Sequence, residues 1–129
     1  MDFKEAQQRV REFTKERAWD IITPAQRGAH LTREVGKLCE YILYHEGVTT
    51  KPIEMKKMPK QLGDVLFSLI ALANLLEIDL GTQLSEAMRQ DAIKYPAKET
   101  KDDALRSYSR RAKPFFEKMT RFTTSIQKK

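Results

Sequence analysis

The sequence predicts an all-α fold: four core helices followed by a basic, helical carboxy-terminal extension. Three observations carry that prediction. Apolar residues recur at helical spacing in successive segments, no stretch alternates convincingly with period two, and the few glycines read as boundary residues. At 129 residues, 40% hydrophobic and 33% charged, the chain can bury one modest core and carry an appendage.

The first segment is amphipathic, with Phe3, Ala6, Val10 and Phe13 at helical spacing, and gives way near Trp19 to Ile22. Thr23-Pro24 announces the second helix, Thr as N-cap and Pro at the first helical position. Leu31, Val35, Leu38 and Ile42 form its expected apolar stripe, and Gly47 stops it. Residues 48–57 are a connector, because Pro52 and Pro59 exclude a continuous helix. The third helix runs from Pro59 to Leu76. Leu62, Leu66, Leu69, Ile70, Ala73 and Leu76 make it apolar around much of its circumference, so it is the expected central helix. Residues 77–80 form a tight link in which Asp79 is the N-cap of a fourth helix over 81–93, and Pro96 ends it.

This divides the chain into a domain at 1–96 and an extension at 97–129. The extension holds ten Lys/Arg against four Asp/Glu, while 1–96 balances at fourteen of each, so the net charge of +6 belongs to the extension. After Pro114, the residues Phe115, Met119, Phe122 and Ile126 form a stripe with Lys113, Lys118 and Arg121 around it. Such a stripe needs a surface to cover, either the domain, a partner subunit or something external. Arg110, Arg111 and Lys113 beside Tyr108 also have some of the basic and aromatic character of a nucleic-acid contact. The single cysteine, Cys39, forbids an internal disulfide and is expected as a plain buried thiol in a cytoplasmic protein. No membrane partner is expected. The stretch 62–76 is shorter than the ~20 residues of a span and contains Asp64, and the amino terminus lacks a secretory apolar stretch. His30 and His45 lack metal-ligand spacing and receive no role.

Two segments carry candidate chemistry, Glu34-Val35-Gly36-Lys37 and Gln61-Leu62-Gly63-Asp64. Acids three apart lie on one helix face, and two such pairs on packed helices would offer four carboxylates to a hard cation such as Mg2+. Each pair here keeps one acid. Four carboxylates would carry about −4, whereas Glu34, Lys37, Gln61 and Asp64 together carry about −1. The Lys37 ammonium is therefore expected either to pair with both Glu34 and Asp64 in place of a metal, or to snorkel outward from an eroded site.

These segments resemble the all-α nucleoside triphosphate pyrophosphohydrolases of the MazG type, related to dimeric dUTPases and small dCTP pyrophosphatases. The resemblance covers about residues 10–96. It rests on Phe13 with Arg17 and Trp19, Thr23-Pro24, Glu34-Val35-Gly36 with Glu40, and Leu62-Gly63-Asp64-Val65-Leu66-Phe67. Ile78-Asp79-Leu80 and Lys94-Tyr95-Pro96-Ala97 continue it.

The resemblance implies Mg2+-dependent cleavage of a nucleoside triphosphate to monophosphate and pyrophosphate, in a homodimer or homotetramer. By position, Glu34 and Asp64 are the first and last acids of the ExxE…ExxD metal motif. Lys37 and Gln61 replace the middle two, and Arg33 stands where many relatives carry another acid. Trp19 is implied to stack the base, with Arg27, Lys37, Asp91, Lys94 and Tyr95 as further substrate-binding candidates; Ala87 falls where relatives place a lysine. Two alternatives stay open. One is a non-catalytic member of the fold that binds nucleotide or protein, and the other is a nucleic-acid binder acting through the basic extension.

Overall fold

A computed structural model of the protein describes residues 1–115, 117, 118, 120 and 121. Among the described residues the fold is all-α, without a strand. Helix α1 (Phe3–Glu16) starts at Asp2, whose Oδ1 accepts the Glu5 amide at 2.8 Å. Ala18 then takes a left-handed conformation, φ 51°, and turns the chain into a short 3-10 helix, Trp19–Ile21. Helix α2 (Pro24–His45) opens on a full capping box. The Gln26 amide donates to Thr23 Oγ1 at 3.2 Å while the Thr23 amide donates to Gln26 Oε1 at 2.9 Å. Gly47, at φ 72°, closes it.

A 3-10 turn, Met55–Lys57, leads into α3 (Met58–Leu75). Helix α4 (Leu80–Lys94) opens at Asp79, whose Oδ1 accepts the Thr82 amide at 2.6 Å. Pro96 precedes α5 (Ala97–Ser107), which continues into a π-helical turn, Tyr108–Ala112.

The chain forms two compact units, Met1–Ser85 and Glu86–Lys129, with α4 contributing to both. In the first, α3 packs against both α2 and α1, the central position its composition predicts. In the second, α5 packs with the π-helical turn, and short ion pairs join Arg89 to Glu86 and Arg106 to Asp103. Of the expected apolar stripe in the extension, Phe115 is exposed, while Met119, Phe122 and Ile126 lie outside the described residues. Among the described residues no single helix is long and apolar enough to cross a membrane.

Burial departs from the sequence expectation in an instructive way. On α2 the buried residues are Arg27 and Glu34, whereas Val35 and Ile42 of the expected apolar stripe are exposed. Cys39 is exposed too, because it lies on the helix face of Val35 and Ile42 (i+4 and i−3) rather than on the face toward α3. On α3, Ile70, Ala71 and Ala73 are buried together with the polar Gln61, Ser68 and Asn74, while Leu62, Leu66 and Leu69, with Leu76 just past its end, are exposed. The inward face of this helix is thus partly polar, and much of its leucine faces outward. The glycines also differ from expectation: Gly28 and Gly36 lie inside α2 and Gly63 inside α3, and only Gly47 takes the left-handed conformation of a helix stop.

A polar lock ties α1 to the end of α3. Asn74 Nδ2 donates to the Gln7 carbonyl at 2.9 Å and its Oδ1 accepts Gln7 Nε2 at 3.2 Å. Gln7 Nε2 also reaches the Ile78 carbonyl at 2.8 Å, and its Oε1 accepts the Leu80 amide at 3.0 Å. Asn74→Ala is expected to cost about 2–3 kcal/mol, since it takes a partner from the Gln7 carbonyl, Gln7 Nε2 and Arg11 Nη2 on α1. Urea unfolding measures it, and a loss below about 0.5 kcal/mol would show the lock to be dispensable.

Candidate functional site

The inward polar face of α2 opens onto a cavity of about 490 Å3 between the 3-10 helix, α2 and α3. Arg27, His30, Glu34 and Lys37 reach it at intervals of three, four and three residues, one continuous face of α2, joined by Arg33. Asp64, Phe67 and Ser68 supply the α3 side. Trp19, Ile21 and Ile22 supply the third wall, which the left-handed Ala18 turns toward α2.

Trp19 is 48% exposed and stands edge-to-face on Phe13, centroids 5.9 Å apart; Phe13 stands edge-to-face on Phe67 at 5.7 Å. Arg17 covers the Phe13 ring at 3.5 Å. Trp19 is thus held from one side by aromatic packing, anchoring the link between α1 and α2 as well as lining the cavity.

Glu34 is 7% exposed and enclosed by donors. Gln61 Nε2 donates to its Oε2 at 2.8 Å and to its backbone carbonyl at 3.0 Å. Lys37 Nζ lies 3.2 Å from Oε1 and 3.4 Å from Oε2, and Arg33 donates to Oε1 through both Nε and Nη2. The Gln61 amide, followed by Lys37 and Arg33, holds the Glu34 carboxyl below its ordinary value against the upward pull of burial. Folded Glu34 therefore binds its proton more weakly than unfolded Glu34. Its contribution to stability is complete above the ordinary value of 4.5 and is lost as pH falls through the lower folded value. The stability gap between wild type and Glu34→Gln should accordingly narrow as urea midpoints are followed from about pH 6 to about pH 3. A constant gap would mean that the carboxylate's partners contribute nothing.

Asp64 is arranged differently. Lys60, one turn earlier on α3, grips it at 2.7 and 3.0 Å, and the Asp64 partnership raises the Lys60 pKa. Lys37 pairs with Glu34 alone, and the expected bridge from one ammonium to both acids is not formed. The Lys60–Asp64 pair has i, i+4 spacing, so its ammonium reaches the acid from the same helix.

Arg27 is 5% exposed. Its Nη2 donates to the Trp19 carbonyl at 3.1 Å, its buried Nε has no hydrogen-bond partner, and burial lowers its pKa. It is a desolvated cation.

A resident Mg2+ does not fit this donor set. Among the described residues no group of three or more His, Cys, Asp or Glu side chains is placed to hold a metal ion. Both oxygens of Glu34 accept from nitrogen donors, and Asp64 is paired with Lys60.

Residues 22–101 match the MazG nucleotide pyrophosphohydrolase domain, and the chain belongs to that family. It is similar to the uncharacterized protein YpjD of Bacillus subtilis (strain 168), 38% identical over 61 residues, which are 46% of this chain and 55% of YpjD. The chain thus spans about half the length of the curated relative it matches. It also superposes on a crystal structure of Bacillus subtilis YpjD, solved as a candidate pyrophosphatase. There the TM-score is 0.63 and the identity 29%, over 70% of this chain and 94% of that one.

Of the residues singled out from sequence, Trp19, Arg27, Glu34, Lys37 and Asp64 meet at the cavity. Asp91, Lys94 and Tyr95 belong to the second unit, where Lys94 Nζ lies 5.1 Å from the Tyr95 ring centroid. Sequence reasoning missed His30, Phe67 and Ser68. His30 was legible as a member of the stripe that carries Arg27 and Glu34, and Phe67 and Ser68 stand one turn beyond Asp64.

Proposed function

We propose that the chain binds nucleoside triphosphates in this cavity and hydrolyses them slowly to nucleoside monophosphate and pyrophosphate. The observation that supports the reading is the convergence of Trp19, Arg27, Arg33, Lys37 and Glu34 on one cavity in a MazG-family chain. The half-exposed indole offers a face for a base, and guanidinium and ammonium groups suit phosphate oxygens. Glu34 can orient water once bound phosphate draws the Lys37 and Arg33 donors from its oxygens. Its lowered pKa makes it a weak general base, which keeps turnover low. Mg2+, in this reading, is not a fixed part of the protein. A second, non-catalytic reading is favoured by the same enclosure of Glu34: nucleotide binding without hydrolysis.

The partner proposed for the assembly is a second copy of the chain. It would cover Leu62, Leu66 and Leu69 of α3 and the adjoining Leu76, with Val35 and Ile42 of α2, all exposed in the single subunit. A particle mass of at least twice 15.0 kDa in light scattering, lost in Leu66→Arg, is the expected result.

Pyrophosphate release from a panel of ordinary and modified nucleoside triphosphates tests the enzymatic reading, with Mg2+, with Mn2+ and with chelator, wild type beside Glu34→Gln. Slow release lost in Glu34→Gln supports it. Binding without release selects the non-catalytic alternative, and neither binding nor release defeats the site assignment.

A further inference from the structure

We propose that the cavity takes its nucleoside triphosphate free of divalent metal, and that Mg2+ weakens binding instead of promoting it. This rests on the nucleotide-binding reading and assigns the charge state of the ligand. A site lined by four carboxylates repels a polyphosphate unless a metal ion stands between them. Here the wall carries three cations, Arg27, Arg33 and Lys37, against two carboxylates. One of those carboxylates, Asp64, is already paired with Lys60, which is outside the wall. The other, Glu34, is shared by Lys37 and Arg33, both of which keep about half or more of their side-chain surface exposed to solvent. Their remaining donors are available to a ligand.

Arg27 points to an anion independently. A nine-tenths buried guanidinium whose Nε has no partner and whose one hydrogen bond goes to a neutral carbonyl lacks its counterion. A phosphate group in the cavity that Arg27 lines supplies that missing charge. Mg2+ bound to the triphosphate occupies those oxygens and cancels part of their charge, so the metal complex gains less from this wall than the free nucleotide does. Trp19, the only tryptophan of the chain, lines the same cavity and reports occupancy directly.

The test is a titration of Trp19 fluorescence in the full chain with ATP, GTP, CTP, UTP and their deoxy forms. Each is run in chelator and in excess Mg2+, with tripolyphosphate as the ligand lacking a base and calorimetry as a check. Affinity about tenfold higher in chelator than in Mg2+ is expected. Lys37→Gln should reduce the chelator affinity, and Lys37→Glu should reverse the sign of the Mg2+ effect while thermal melts show both folded. Equal or tighter binding with Mg2+ overturns the inference and leaves the nucleotide-binding reading intact. Tripolyphosphate binding as tightly as every nucleotide overturns the assignment to nucleotides. No binding in either condition, by fluorescence and by calorimetry, defeats the inference together with the reading it rests on.

Discussion

Gln61→Glu is expected to destabilise the protein by about 3–5 kcal/mol at neutral pH, the scale of a buried charge left without its partner. The substitution removes the amide that donates at 2.8 Å to the Glu34 carboxylate and at 3.0 Å to its backbone carbonyl. In its place stands a second acceptor, also charged, against a residue that is 93% buried. Two carboxylates in contact share one proton, so one of the pair titrates well above the ordinary range. The linkage then has the opposite sign from wild type. The protonated pair is the tolerated form, so the penalty shrinks as pH is lowered toward 5 and grows above it. Added Mg2+ should recover part of the loss, because the variant places three acids where the wild type has two. Urea unfolding at two pH values, with and without Mg2+, measures all three effects. A loss below about 1 kcal/mol at neutral pH would sink the account of Gln61 as Glu34's principal partner.

Arg27→Met should separate fold from ligand. A buried cation without a counterion contributes little to the empty protein, and an apolar side chain of similar volume is often neutral or stabilising at such a site. The change in stability should therefore stay within about 1 kcal/mol, despite the lost bond to the Trp19 carbonyl. Nucleotide affinity should fall about 10- to 100-fold, corresponding to one charged hydrogen bond of about 1.5–3 kcal/mol. Arg27→Ala would instead leave a cavity and cost about 2–4 kcal/mol. Parallel loss of stability and affinity in the methionine variant would make Arg27 a structural residue only.

The helices were legible because their ends are written in local chemistry. Thr23-Pro24 and Asp79 cap where their side chains predict, and Gly47 stops α2 with the positive φ only glycine adopts freely. What the sequence concealed was which face points inward. An apolar stripe on α2 was expected to be buried, yet the buried positions are Arg27 and Glu34, and Val35, Cys39 and Ile42 are exposed. Apolar periodicity identifies a face that seeks cover but does not say whether the cover is the same subunit. The site was half legible for a related reason. Spacing within a helix places Glu34 beside Lys37, but whether Asp64 joins them depends on Lys60, an i, i+4 competitor on its own helix. Gln61, which stands where the resemblance implies a lost ligand, bonds both the side chain and the backbone of Glu34.

The twin bonds of Gln61 have a mechanical consequence. One amide grips both the main chain and the side chain of the same residue on the neighbouring helix. Greasy contacts between helices tolerate sliding by part of a turn, since one leucine can stand in for another. This amide tolerates none, because a shift along the axis breaks both bonds at once and the next turn offers no equivalent acid. Gln61 therefore works as an index pin, setting where α2 stops along α3 and so the spacing between the guanidinium and ammonium groups that face the cavity.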